Sequence, residues 1–482
     1  MAQFDFDIGI LGAGSAGLTA ASGAAKFGAK TLLIEKEKMG GDCLHYGCVP
    51  SKTLIQTAKV RSLMRNAEFW GLPKTDLPPV DFRAVRSRIQ SVIDTIQQHD
   101  SPERFCSLGV RVEFGEPEFS DEHTVRIGGA SFSARSWLIA TGSSPAIPPI
   151  PGLADTPYLT NRELFYLDEL PASLIILGAG PIAIEMAQAF ARLGTRVTVI
   201  QRSSQILTRE DKDMADVVQA ALAADGVIFH LNATVSGIRR EGSRCSVVIH
   251  KTDFTSAELS ADAVLVALGR KSNLDDLGLD RVGVRLAHGG LALDNRLRTS
   301  QPHIYGAGDV TGEFQFTHAA GYEGGVAVTN AILRLPRKVS YALMPWCTYT
   351  DPELASIGMN ELRAREAGIE HTVWRESFAA NDRALAEGAA EGVVKLLLDK
   401  GGKPLGMQIA GPHAGELLAP WVGIMNGGGK LTTLAGAVHP YPTLSEINRK
   451  VAGNVYAEKI FSPRVKSALK FFFHLRGRAC GP

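Results

Sequence analysis

The 482-residue chain has no run of the roughly eighteen consecutive apolar residues that a membrane-spanning helix needs. It has no surplus of either charge: 51 Lys and Arg against 50 Asp and Glu leave a net charge of +1, so no polyanionic partner such as a nucleic acid is implied. Cysteine is scarce. Six cysteines in this length exclude the dense disulfide framework of small secreted proteins, and four of them (Cys106, Cys245, Cys347 and Cys480) stand singly. No second ligand pair at zinc spacing accompanies the remaining two, so no metal site is expected. The N-terminus enters a strand pattern almost at once, without a charged n-region, apolar stretch or cleavage site, and a cytoplasmic location is expected.

What the chain has in quantity is glycine, 50 residues, as suits an α/β protein with many tight strand-to-helix turns. Its length suits about three domains. The first unit reads strand (Phe6–Leu11), glycine turn, helix (Leu18–Phe27), strand (Thr31–Glu35). In this GxGxxG pattern Gly12 makes the turn, Gly14 lets backbone approach a pyrophosphate, and Gly17 lets the helix pack on the sheet. The helix N-terminus faces the phosphates, and Glu35 is placed to accept from a ribose hydroxyl. The pattern recurs at Ser173–Leu177, with Gly178, Gly180 and Ala183 in the glycine positions, a helix to Leu193 and a strand at Arg196–Ile200. Two dinucleotide folds in one chain imply two dinucleotides exchanging electrons.

Just beyond the first fold lies Gly41-Asp42-Cys43-Leu44-His45-Tyr46-Gly47-Cys48-Val49-Pro50-Ser51-Lys52. Cys43 and Cys48 are expected to meet on one face of a single helix's first turn, where unpaired N–H groups and the helix dipole favour a thiolate. A cysteine pair beside a bound dinucleotide can take up two electrons, open to a dithiol and pass them on, so the chain reads as a redox enzyme. Further along come a proline-rich linker (Leu72–Pro79), a helix carrying Val85, Ile89, Val92, Ile93 and Ile96, a β-rich stretch from Val110 to Ile139, and a proline-dense crossover at Ser144–Gly152. Strands around Ala263–Leu268 close the second fold, Ile304–Val310 returns to the first, and from about Pro345 strands and helices follow without a glycine fingerprint.

These motifs together resemble the pyridine nucleotide-disulfide oxidoreductases, the family of glutathione reductase, dihydrolipoamide dehydrogenase and mercuric reductase. The resemblance runs from about Phe6 to Ile460 through GGDCxxxxGCVPSK, Ala140-Thr141-Gly142, Leu268-Gly269-Arg270, Gly308-Asp309 and Pro442-Thr443-Leu444-Ser445-Glu446. Within the family the look is nearest to mercuric reductase, through Ala140–Thr160, Met186–Leu193 and the stretch from Asn381 to Ala386. The fold implied has two Rossmann-like dinucleotide-binding domains and an α+β C-terminal dimerisation domain. Its divisions are an FAD-binding domain at 1–152 and 271–342, an NAD(P)-binding domain at 153–270, a dimerisation domain at 343–461 and a basic tail at 462–482.

The resemblance further implies FAD on the first fold and a nicotinamide dinucleotide on the second, feeding a Cys43–Cys48 disulfide. Cys48 would be the thiolate nearest the flavin and Cys43 the attacking sulfur. Lys52 would sit by the flavin and pair with Glu185. Asp309 would bind the ribityl chain, Gly115 the adenosine, and Thr141, Gly142 and Gly269 would line cofactor. Gln201 stands where NAD-using members carry Glu, and Arg202 follows, so NADPH is expected, with NADH possible. Where the family's disulfide reductases carry a catalytic histidine this chain has Tyr441, with Glu446 retained and His439 two places earlier. A phenol of ordinary pKa about 10 is a poor base near neutrality. The implied enzyme is an NAD(P)H-dependent flavin disulfide oxidoreductase of the mercuric-reductase kind. The alternatives are a dihydrolipoamide-dehydrogenase-like enzyme using NAD and a flavoprotein that exchanges electrons with a protein partner. A homodimer is expected, with a small dithiol or disulfide, or a thiol-bound metal ion, as substrate. The tail from Ser462 to Arg478 alternates basic and apolar residues, which suits either packing on the protein's own dimer, the preferred reading, or an anionic membrane surface.

Overall fold

The computed structural model describes residues 4–253, 255–477 and 479–480. By contacts the chain divides into two units, residues 1–206 with 222–341, and residues 207–221 with 342–482.

The first unit holds two parallel sheets. In the larger one, strands run in the order Val110–Phe114, Thr31–Glu35, Phe6–Leu11, Ala130–Ile139, with Ile304–Gly306 also paired to Ala130–Ile139 and all of these pairings parallel. Strands Thr124–Ile127 and Pro117–Asp121 extend it antiparallel. The central strands read Phe-Asp-Ile-Gly-Ile-Leu and Thr-Leu-Leu-Ile-Glu, near-continuous apolar runs, because a parallel sheet is covered on both faces. In register, Ile10 faces Leu33 on one side and Leu138 on the other. Helix Ser15–Lys26 packs its alanines (Ala16, Ala20, Ala21 and Ala24) against the sheet and helix Thr317–Ile332. Such small side chains let backbones approach closely.

The second sheet of this unit orders Ile228–His230, Arg196–Ile200, Ser173–Leu177, Ala263–Val266, again all parallel. A three-stranded antiparallel sheet (Ala233–Glu241, Arg244–Lys251 and Ser256–Ala261) packs Val247 and Ile249 into the same core as Ile175 and Val264. Helix Phe82–Gln97 starts where Asp81 accepts from the N–H groups of Arg83 and Ala84, and buries Val85, Ile89 and Ile93 at helical spacing. Each of those side chains contributes roughly 1.5–3 kcal/mol of burial.

The second unit is built on a five-stranded antiparallel sheet in the order Pro345–Thr348, Glu353–Gly358, Pro404–Gly411, Val393–Asp399, His371–Ser377. Trp421 and Phe378 fill its core, together with Ile447, Val451 and Val455 of helix Glu446–Ile460. Segment 207–221 belongs here through buried charge. Lys395, 1 % exposed, reaches Asp211 at 2.8 Å, Asp213 at 2.8 Å and Glu361 at 2.9 Å. Among the described residues no helix is long and apolar enough to cross a membrane.

Candidate active site

The glycine turn of the first fold is shaped by close approach. A Cβ on Gly17 would lie 1.8 Å from the Gly12 carbonyl oxygen, so only glycine lets this helix sit against the turn. Gly14, by contrast, has nothing within 4 Å of such a Cβ and caps helix Ser15–Lys26 without a side-chain hydrogen bond. Its open side and the free N–H groups of the first turn suit a pyrophosphate. Glu35 is buried, its two oxygens accepting from the Ala13 and Glu37 N–H groups at 2.7 and 2.8 Å, and each oxygen keeps a second lone pair for a hydroxyl. The second fold repeats the geometry: a Cβ on Gly178 would meet the Ala267 oxygen at 2.5 Å, Gly180 faces open space at the N-terminus of helix Pro181–Leu193, and Ala183 is buried.

The cysteine segment is seated on the first turn. Gly40 donates to the Ala13 carbonyl at 2.9 Å, and a Cβ on Gly41 would come 2.8 Å from Gly14 Cα. Both glycines have positive φ, 98° and 61°. The expectation of one helical face for both sulfurs is corrected here. Cys43 and Cys48 are five positions apart, which on a continuous helix turns them about 140° away from each other. The chain instead breaks at Tyr46-Gly47: Cys43 lies in the short helix Gly41–His45 and Cys48 opens helix Cys48–Arg65. That break brings the two thiols into hydrogen-bonding contact.

Their acidities diverge. The hydrogen bond from Cys43 brings Cys48 down to about 6, helped by Thr317 and the positive charge of Lys52 and opposed by burial and Glu185. Cys43 moves the other way, held protonated by the hydrogen bond it gives to Cys48 and by burial. The Thr317 hydroxyl, 3.3 Å from Cys48 Sγ, opens helix Thr317–Ile332. Lys52 Nζ, one turn beyond Cys48, sits 2.7 Å from Glu185 Oε2 on helix Pro181–Leu193, and Glu185 is 5 % exposed. Helix Cys48–Arg65 thus joins the two dinucleotide folds.

Asp309 accepts from the Ser143 hydroxyl, and burial pushes its carboxyl up against that bond and the pull of Arg270. Arg270 bonds Ser143 Oγ at 2.7 Å and Asp42 at 2.9 Å, linking the cysteine helix to Asp309's surroundings. Thr141 and Gly142 are tied to Asn273, the Thr141 hydroxyl donating to its carbonyl at 2.6 Å and the Asn273 N–H to the Gly142 carbonyl at 2.9 Å. Gly115 takes φ 147° and donates to the Glu35 carbonyl at 2.9 Å, while Gly269 takes φ 120°. In the second fold Gln201 is half-buried and bridges His230 and Ala233 through its backbone, and Arg202 is exposed.

Tyr441 and Glu446 lie in the second unit. Tyr441 is 71 % exposed and donates its hydroxyl to Asp382 at 2.9 Å, a bond that raises its pKa above the ordinary phenol value. Glu446 opens its helix, 3.9 Å from Arg449. Asn381, Asp382, Tyr441, Glu446, Arg449 and Lys450 line a cavity of about 350 Å³. His439 is half-buried, with Nδ1 3.2 Å from the Ala437 carbonyl. Sequence reasoning did not single out Thr317, Ser143 or the Asp382 partner of Tyr441. Thr317 lies 269 positions from Cys48, so no local pattern signals it.

With this geometry in place, comparison with known proteins is specific. Residues 6–324 match the family model described as pyridine nucleotide-disulphide oxidoreductase, and residues 344–452 match that family's dimerisation domain. The chain is 33 % identical over 444 residues to a mercuric reductase of Staphylococcus aureus, covering 92 % of this chain and 81 % of that protein. It is 36 % identical over 448 residues to a dihydrolipoyl dehydrogenase of Bacillus subtilis, covering 91 % and 96 %. Among solved structures, the HOCl-induced flavoprotein disulfide reductase RclA from Escherichia coli aligns with a TM-score of 0.83 at 30 % identity, covering 93 % of this chain and all of that one. A Cu(II) complex of the same protein aligns with a TM-score of 0.84 at 29 % identity, covering 94 % and 100 %. The dimerisation domain supports a homodimer. The chain belongs to the pyridine nucleotide-disulphide oxidoreductases, as an FAD-dependent oxidoreductase that uses NAD(P)H.

Proposed function

We propose that this enzyme carries electrons from NADPH through FAD to Cys43 and Cys48 and delivers them to a thiol-bound soft metal ion, in the manner of a mercuric reductase. The observation that carries the reading is Tyr441. A phenol already donating to Asp382, with its pKa raised by that bond, does not take a proton from a dithiol near neutral pH. A metal ion held by thiolates needs no such base. The similarity to mercuric reductases and the Cu(II) complex of the related flavoprotein point the same way.

In this reading 1–152 with 271–342 bind FAD, 153–270 bind the nicotinamide dinucleotide, 343–461 form the dimer, and the enzyme works in the cytoplasm. Gly12, Gly14 and Gly17 would hold the FAD pyrophosphate, Glu35 a ribose, and Asp309, Gly115, Thr141, Gly142 and Gly269 the rest of the cofactor. Gly178, Gly180 and Ala183 would hold the nicotinamide dinucleotide, and Arg202, exposed beside the neutral Gln201, would meet a 2′-phosphate. When bound, FAD supplies two-electron exchange between the nicotinamide and the sulfurs. Opening the disulfide consumes two electrons and one proton, leaving Cys48 as thiolate and Cys43 as thiol. Cys43 loses that proton to solvent as it takes the metal ion from its carrier thiols. Thr317 and Lys52 stabilise the Cys48 anion, and Glu185 holds Lys52 in place. Overall, a hydride's two electrons reduce a divalent ion to the metal, and its proton goes to water.

The second reading, a dihydrolipoamide-dehydrogenase-like enzyme using NAD, is favoured by the retained Glu446 and the 36 % identity to the Bacillus subtilis protein. Stopped-flow oxidation of NADPH-reduced enzyme by thiol-complexed Hg(II), lipoamide and glutathione disulfide separates the two. Fast reaction with the metal complex alone is expected. Rapid lipoamide turnover would overturn the metal-ion reading, and a clear NADH preference would overturn the coenzyme assignment.

A further inference from the structure

Helix Pro463–Phe473 follows the long helix Glu446–Ile460 across a break at Phe461-Ser462, with Pro463 in its first turn. None of its residues is buried, and Phe471, Phe472 and Phe473 are 75 %, 72 % and 68 % exposed. Consecutive bare phenylalanines are costly in water and unusual on a protein that has a core to bury them in.

Helical spacing puts Val465, Ala468, Leu469, Phe472 and Phe473 on one face, with Lys466 and Lys470 along one border, Arg464 along the other, and Phe471 on the opposite side. The charges are all of one sign. From Lys459 to the C-terminus there is no Asp or Glu but six Lys and Arg, so a tail of +6 and a body of −5 together make the chain's net +1. Among the described residues, Arg464, Lys466 and Lys470 form no ion pair within the chain. Exposed Ile460 and Phe461 continue the apolar surface into the break.

We propose that this helix is an interfacial anchor that lays its phenylalanine face into an anionic lipid surface. Apolar side chains of one face would enter the acyl boundary while Lys466 and Lys470 reach the headgroups, as amphipathic peripheral helices do. The alternative occupant is the protein's own dimer. Two tails related by a twofold axis would press cationic stripes together, whereas a lipid surface of opposite charge neutralises them. The acidic body is repelled by the same surface, so attachment goes through the tail alone and orients the enzyme. The helix is far too short to span a bilayer, so the association is peripheral and reversible.

The test uses the full-length, FAD-loaded protein sedimented with phosphatidylcholine vesicles, with and without phosphatidylserine, in low and high salt. Wild type pelleting with the anionic vesicles and released by salt is expected. Each basic residue near such a surface contributes about fivefold to partitioning, so K466E/K470E should lower it by well over tenfold. F472S/F473S should abolish it, with flavin content and NADPH oxidation unchanged. Light scattering of the same variants decides the alternative. Pelleting that is absent, insensitive to lipid charge or unaffected by the substitutions overturns the anchor. So does conversion of the dimer to monomer by F472S/F473S, which would place the helix in the subunit interface.

Discussion

The unequal acidity of the two active-site thiols can be tested without any substrate. In Cys43→Ala and Cys43→Ser variants no disulfide can form, and Cys48 is a free thiol in both. The serine keeps a hydroxyl able to donate to Cys48 Sγ, whereas the alanine does not. The bond from Cys43 is the largest influence lowering Cys48 to about 6. Hydrogen bonds to charged groups are worth about 1.5–3 kcal/mol. Sulfur accepts weakly, so the lower end applies, and at 1.36 kcal/mol per pH unit the alanine variant should titrate about one unit above the serine variant. Thiolate ultraviolet absorbance followed against pH gives both midpoints. Of the other thiols, Cys245 is pushed up by burial, away from this range. Coincident midpoints would refute the idea that Cys43 sets the acidity of its partner, leaving Thr317 and Lys52 to account for it.

Tyr441→His should raise lipoamide turnover about tenfold or more near pH 7, a modest share of what a positioned base supplies, and no change would mean that this position does not limit dithiol chemistry. Asp382→Asn should bring the Tyr441 phenol back down toward its ordinary pKa, seen as an earlier phenolate step in ultraviolet titration. Gly17→Ala forces a methyl onto the Gly12 carbonyl and should cost about 3 kcal/mol in urea unfolding, with flavin lost on purification. Lys395→Met strands three acids and should cost about 3–5 kcal/mol at neutral pH. Glu361 is held low by Lys395, so its contribution is present above about pH 4.5 and fades as pH falls through its native value. The variant's deficit should therefore shrink in acid, and a deficit independent of pH would count against the charge cluster as its cause.

The two dinucleotide folds were legible because their signals are local. Glycines needed for close approach bracket short apolar strands, and the strands Thr31–Glu35, Ser173–Leu177 and Arg196–Ile200 fall where glycine and burial require. The active-site pair was legible as chemistry but not as shape. Helical periodicity alone cannot foresee the break at Tyr46-Gly47, which depends on Gly40 and Gly41 packing on a turn 27 positions upstream. Thr317 and Asp382 act across 269 and 59 positions of chain, where a sequence carries no spacing to read. Lys395 defeats composition rules outright: a lysine on a strand reads as solvent-facing, yet three acids from two segments bury it.

The Lys52–Glu185 pair has a further bearing on how the two halves communicate. Glu185 is carried by helix Pro181–Leu193 of the second fold, yet its negative charge raises the Cys48 thiol while Lys52 lowers it. An anionic side chain of one nucleotide fold therefore enters the proton affinity of a sulfur belonging to the other. Any strain that draws Glu185 back from Lys52 would leave the ammonium less encumbered and the sulfur more readily ionised, so nucleophile strength is adjustable from a distance without a side chain at the reaction centre being replaced.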